Sequence, residues 1–229
     1  MGAQEGTVTL WHGSRVVVAH PTFGQGSPYN DYGLGFYCTR HRELACEWAC
    51  TSVSGGFANQ YELDMDGLSV LNLDDGQHSI LGWLALLVAN RRFDPKSAVE
   101  AQGIAYLREH FLPEVAQADV VVGYRADDSY FSFARSFVRN TISVDQLACA
   151  MRLGELGEQV CVRSARAFGQ LTFVGAEVAE QGVWYPRRKL RDDEARARYR
   201  QIALEDDLSG LYMRDVIREG VTGVDLRLR

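Results

Sequence analysis

Leu10-Trp11-His12-Gly13-Ser14 and, further along, Asp31-Tyr32-Gly33-Leu34-Gly35-Phe36-Tyr37 are the two stretches on which the fold turns. Thr7 to Trp11 alternates and is β-branched, the period-2 pattern of a strand, so His12 and Gly13 stand at a strand end. Gly35 to Thr39 reads as a short strand. It is reached through a loop over Pro21 to Tyr32 that is rich in Gly, Pro, Ser, Asn and Asp. Gly13 has no Cβ, so a ligand can approach its backbone. Its main chain can read an amide, the His12 imidazole a ribose hydroxyl, and the Tyr37 ring can stack on a flat heterocycle. Together these are groups that a cleft for a nicotinamide nucleotide could use. Each alone has an ordinary structural explanation, as a histidine at a strand end or a bulged strand with core aromatics.

Outward from these stretches, Val16 to Ala19 reads as a short strand. Thr39 is placed to cap a helix from about Arg40 to Val53, with Leu44, Ala45, Trp48 and Ala49 on its apolar face. Asn59 to Met65 and Leu68 to Leu73 alternate as strands around the turn Asp66-Gly67. His78 to Arg91 and Lys96 to His110 read as helices, the second with Pro95 at its first turn. Asp119 to Gly123 is a compact apolar strand, and Asp128 or Ser129 can cap a helix to Val138. Ser143-x-x-Gln146 has the form of a capping box opening a helix to Leu153. Gln159 to Arg163 and Gln170 to Val178 read as strands. Pro186 marks a boundary, after which Lys189 to Ala203 is a charged helix and Leu211 to Arg218 a shorter one. Strands scatter among helices without strict alternation, and no Gly-x-Gly-x-x-Gly opens a helix. The fold class is therefore α+β rather than doubly wound.

The 229 residues are 46% hydrophobic and 24% charged, which suits one large domain or a domain with an appendage. A net charge of −6 argues against a general nucleic-acid coat or a membrane-surface protein. No leader segment is recognisable at Met1 to Gly6, the apolar run Ile80 to Ala89 is too short for a membrane span, and a cytoplasmic location is expected. The five cysteines include no Cys-x-x-Cys pair and are expected to be reduced; Cys46 and Cys50 share a helix face, which suits packing. No His-Glu-x-x-His pattern, nucleophile elbow or phosphate-binding glycine loop is present, and no metal is expected.

The order and spacing of His12-Gly13 and Gly33-x-Gly35-Phe36-Tyr37 resemble the ADP-ribosyltransferases of the diphtheria-toxin and poly-ADP-ribose-polymerase clan. The chain also resembles the bacterial family known as domain of unknown function 3990. Leu10 to Ser14, Tyr32 to Thr39, Asp119 to Gly123 with Ala126-Asp127-Asp128, and Glu158 to Val162 carry that likeness, with Arg191-Asp192, Tyr199 and Arg214 to Glu219 in the tail. It implies a split β-sheet core over 1–185, a helical insertion at about 76–112, and a charged helical extension over 186–229. The resemblance to the ADP-ribosyltransferase clan implies a His–Tyr–Glu type triad, in which His12 and Tyr37 match the first two positions and Gln159 takes the third. Glutamine donates and accepts hydrogen bonds but is neither a carboxylate nor a general base, which suits mono-transfer. Glu158, its neighbour on the strand, points to the opposite face.

The implied activity is NAD-dependent mono-ADP-ribosylation of a protein or nucleic-acid acceptor, with NAD as substrate and a small antitoxin-like partner as possible company. Ser14 and Arg15 are candidates to meet the adenosine or pyrophosphate, and Tyr29 or Tyr32 to close over the nicotinamide, with Asp31 ordering their loop. Asp127 and Asp128 are candidate acids, although either can simply cap the following helix. The basic run Arg187-Arg188-Lys189-x-Arg191 with Arg196, Arg198 and Arg200 is either a solvated mixed-charge face or a docking surface for an acidic partner. The alternative to an enzyme is a non-catalytic module that binds NAD or an ADP-ribose derivative, or a partner-binding scaffold.

Overall fold

The computed structural model describes residues 6–126, 128–153, 158–205 and 207–228, with only the backbone of Asp128 and Ser129. Two open sheets form an α+β structure. In the first, β1 (Thr7–Ser14), β3 (Gly56–Asp64) and β7 (Leu171–Ala179) pair antiparallel in the order β1-β3-β7. In the second, β2 (Phe36–Cys38), β6 (Glu158–Val162), β5 (Val120–Tyr124) and β4 (Val70–Asn72) run in that order, with β4 parallel to β5. The sheets touch where Trp11 and Thr39 exchange backbone hydrogen bonds of 2.7 and 2.9 Å. That bridge sets the residue after Trp11 and the residues before Thr39 side by side, at the seam between the sheets.

Among the described residues the helices are α1 (Arg42–Ala49), α2 (Ile80–Asn90), α3 (Ala98–His110), α4 (Asp128–Val138), α5 (Val144–Met151), α6 (Ala165–Gly169), α7 (Gln181–Leu204) and α8 (Met213–Arg218). The strand Val120-Val121-Val122-Gly123 is apolar throughout because both its faces are covered. Val121 faces the large cluster built on α2, α4 and α5, and Val120 and Val122 face the cluster that includes Leu10, Leu63 and Val70. Helix α2 is buried from Leu81 to Val88, as an all-apolar helix must be. The 76–112 segment therefore supplies the centre of the main core. Each large side chain enclosed there, such as Trp83, contributes about 1.5–3 kcal/mol of apolar burial.

Several local expectations change. Val16 to Ala19 is not a strand; Val18 is instead tied to Asn59, whose Oδ1 accepts the Val18 N–H at 2.9 Å. The turn at Asp66-Gly67 forms, with Gly67 at φ +71°, but joins no hairpin: β3 and β4 belong to different sheets. Helix α1 begins after His41, because the Thr39 hydroxyl accepts the His41 N–H at 3.1 Å instead of reaching the first turn of the helix. Ser97 caps α3, leaving Pro95 ahead of the helix. The capping box of Ser143 and Gln146 is present in both halves. Pro186 lies inside α7 rather than at a boundary.

Candidate functional site

The side chain of His12 leaves β1 at the seam. Its Nδ1 lies 2.7 Å from the Tyr37 carbonyl oxygen, which can only accept, so Nδ1 carries the proton and Nε2 carries the lone pair. Burial holds the imidazole below its ordinary pKa, partly offset by that hydrogen bond. The ring packs on Phe36 at 4.4 Å between centroids. Asn59, opposite His12 in the sheet and fully buried, donates to the His12 carbonyl and to Ser14 Oγ, both at 3.1 Å. It fixes the chain leaving β1. A lone Asn in a strand carries no sequence pattern that would have singled it out.

Gly13 has a second reason to be glycine. A Cβ there would fall 2.0 Å from the Ala45 carbonyl oxygen and 2.8 Å from the Ala49 nitrogen. Helix α1 thus lies directly against β1, and its Trp48 reaches the same cavity that Gly13 lines.

Tyr37 on β2 is tied to the loop before it. Its hydroxyl donates to the Gly33 carbonyl at 2.6 Å and accepts the Tyr32 N–H at 3.1 Å. Burial raises the phenol pKa far out of the physiological range, so the hydroxyl stays protonated. Tyr32 is stacked near Tyr37 at 6.3 Å between centroids, but it is fully buried and donates to the Tyr124 carbonyl. It belongs to the core and lies outside the cavity lining. Tyr29 is exposed under the guanidinium of Arg92, 4.3 Å from its ring centre, and lies outside the cavity lining. Ser14 turns to the Val16 carbonyl and to Asn59, also outside the lining.

Gln159 on β6 is buried opposite Gly123, and its Nε2 lies 3.5 Å from Asp31 Oδ2. Glu158 turns the other way and pairs with Arg40 at 2.8 Å; burial raises its carboxyl pKa. Asp31 also receives the Ala126 N–H at 2.9 Å and the Arg91 guanidinium at 2.8 Å. Arg125, which follows β5, lies 4.0 Å from the Trp48 ring centre. Asp127 lies outside the described residues, and Asp128 is the first residue of α4.

These parts meet in a cavity of about 560 Å³, a volume within the range of small-molecule sites. His12 and Gly13 from β1, Tyr37 from β2 and Gln159 from β6 are in its lining. Asp31, Arg91 and Arg125, together with Trp48 and Phe168, line it as well. Neither arginine was legible as a site residue in the sequence, because each follows directly on a secondary element and belongs to no recognisable motif. The basic run it did notice is divided. Arg191 pairs with buried Glu47, and Arg188 donates to the Cys50 carbonyl at 3.1 Å. Lys189–Asp193 and Arg196–Asp192 are surface i,i+4 pairs at 3.2 and 2.9 Å. Tyr199 stacks on Phe133 at 3.9 Å, inside the fold. Cys46 on α1 and Cys50 just after it are buried. Among the described residues no group of three or more His, Cys, Asp or Glu side chains is arranged to hold a metal ion, and no helix is long and apolar enough to cross a membrane.

No curated protein and no solved structure matches the chain. A family model described as "Protein of unknown function (DUF3990)" matches residues 8–173, from the first strand into the last, and so takes in every residue that lines the cavity. The chain belongs to the DUF3990 family.

Proposed function

We propose that the cavity binds NAD and that the protein is a mono-ADP-ribosyltransferase of the kind its triad positions resemble. The observation that carries this reading is the convergence of His12, Tyr37 and Gln159, from three separate strands, on the lining of one cavity. Gly13 would meet the carboxamide and Tyr37 the nicotinamide ring, while Arg91 and Arg125 supply the positive charge that a diphosphate requires. In the reaction the C1′–N bond to nicotinamide breaks, and its electron pair leaves with the pyridine nitrogen, which becomes neutral. A nucleophile of the acceptor bonds to C1′ and its proton passes to water. The protein's part is to position the ribose and to exclude competing geometries.

Incubation with labelled NAD, followed by measurement of free nicotinamide and of labelled macromolecule, tests the proposal. His12→Ala and Tyr37→Ala are each expected to lower turnover by about 100-fold or more. Activity that survives both would overturn it. A second reading, a module that binds NAD or an ADP-ribose derivative without turnover, is favoured by the amide at Gln159 in place of a carboxylate. Saturable NAD binding with no nicotinamide release would select it.

A further inference from the structure

An amide presents opposite faces to a ligand according to which way round it sits, and the surroundings of Gln159 decide this. A carboxylate only accepts hydrogen bonds, so the amide nitrogen is the end that faces Asp31, at 3.5 Å, and Oε1 is the end turned from it. Asp31 is itself anchored. Its side chain takes the Ala126 N–H and the Arg91 guanidinium, and its backbone carbonyl accepts from Asn90 Nδ2 at 3.2 Å. The loop before β2, the end of α2 and the chain after β5 thus hold the carboxylate that orients the amide. His12 obeys the same logic, since donation from Nδ1 to the Tyr37 carbonyl leaves Nε2 as an acceptor.

We propose that Asp31 is a positioning residue that turns Gln159 to offer its carbonyl oxygen, so that His12 Nε2 and Gln159 Oε1 form a paired acceptor for the hydroxyls of a ribose. The identity of the ligand rests on the NAD reading above; the orientation of the amide does not. Such a wall sorts ligand groups by hydrogen-bond polarity. Hydroxyl donors are satisfied there, whereas a carboxylate or phosphate would meet two lone pairs. The anionic part of a ligand is directed to Arg91 and Arg125.

The test is a charge swap read in two independent ways. In Asp31→Asn the new amide can donate and no longer dictates the orientation of Gln159. In Gln159→Glu two carboxylates face each other. In the double variant the repulsion is gone, and the carboxylate introduced at position 159 can accept from the amide introduced at position 31 in exchange for the Ala126 N–H that Asp31 Oδ2 accepts in the wild type. Without ligand, each single variant is expected to lower Tm, and the double to lose less than the sum of the two. Losses that simply add would overturn the orientation, whatever the protein binds. With NAD as probe, each single variant should weaken Kd by about tenfold and the double should return to within about threefold of wild type. NAD lacking the 2′-hydroxyl of its nicotinamide ribose should bind the wild-type protein about tenfold more weakly than NAD. Equal affinity for the two would overturn the ribose assignment while leaving NAD binding in place. No affinity for NAD at all would remove the function proposed above and the ribose assignment with it, and the Tm cycle would still decide the role of Asp31.

Discussion

The imidazole of His12 is held neutral by its surroundings, and this has a pH signature. Its folded pKa lies below the ordinary 6.5 because burial penalises the cation more than the Tyr37 carbonyl favours it. Above about pH 6.5 both folded and unfolded chains carry a neutral ring and the group contributes no slope. As pH falls below that value the unfolded chain takes the proton first, so stability declines until the folded pKa is reached and then levels off. The difference in Tm between wild type and His12→Asn, followed from pH 8 to pH 4, should grow in favour of the variant on the acid side; a flat difference would contradict the assignment. Tyr37→Phe keeps the ring but leaves the Gly33 carbonyl and the Tyr32 N–H without their partner. It should cost about 1–3 kcal/mol in denaturant unfolding while affecting NAD affinity less than Tyr37→Ala does. At this scale the sequence singled out His12, Tyr37 and Gln159, and the fold brings all three to one cavity. The sequence could not show Asn59, Arg91 or Arg125 at the site, because none of them belongs to a local pattern and only tertiary contacts bring them there, and it read Asp31 as ordering its loop without showing the contact with Gln159. Tyr32 shows the converse: an aromatic in a Gly-rich loop reads as a lid and is in fact a core residue.

Among the elements, β1 and α1 are packed so closely that the glycine between them is a steric requirement. With backbone atoms 2.0 and 2.8 Å from the position of a Cβ, Gly13→Ala forces helix α1 off the sheet or distorts the strand. The expected loss is about 3 kcal/mol by denaturant unfolding, and a loss well below 1 kcal/mol would refute the packing. Gly35 is under the same constraint, since its Cβ would fall 2.4 Å from Cys161 Sγ and 2.9 Å from the Val162 carbonyl. The two glycines flank the site because strands and helix are drawn together there. Element types were legible wherever the period was strong, as at β1, β5, α2 and α5. Boundaries and pairings were not. The Asp66-Gly67 turn has hairpin chemistry, yet whether the next strand folds back or crosses to another sheet is decided by which core its apolar side joins. Leu68 and Val70 face the cluster on β5, so β4 pairs there.

For the whole molecule, the tail is bound into the body. Helix α7 starts at Gln181, ahead of Pro186, buries Ala195, and places Arg191 on Glu47 and Tyr199 on Phe133. Gln146 of α5 donates to the carbonyls of Ile202 and Glu205 at 2.8 and 2.9 Å. A chain ending at residue 180 leaves Glu47 buried without its cation and should lose about ten degrees or more of Tm, or fail to unfold cooperatively. Unchanged melting would mean that the tail is an independent appendage. Composition and charge pattern were enough to predict a charged helix here, but not its inward face, because the half-buried Arg188 and Arg191 are indistinguishable in sequence from their solvated neighbours. The distribution of thiols adds an experimental consequence. Cys149 is exposed, whereas Cys38, Cys46, Cys50 and Cys161 are enclosed on β2, α1, the residue after α1, and β6. Alkylation under native conditions should therefore mark Cys149 at once and the other four only as their segments open. Each delayed adduct, resolved by peptide mass, becomes a clock for one segment of the fold, and the clocks at Cys38 and Cys161 run on the strands that carry Tyr37 and Gln159.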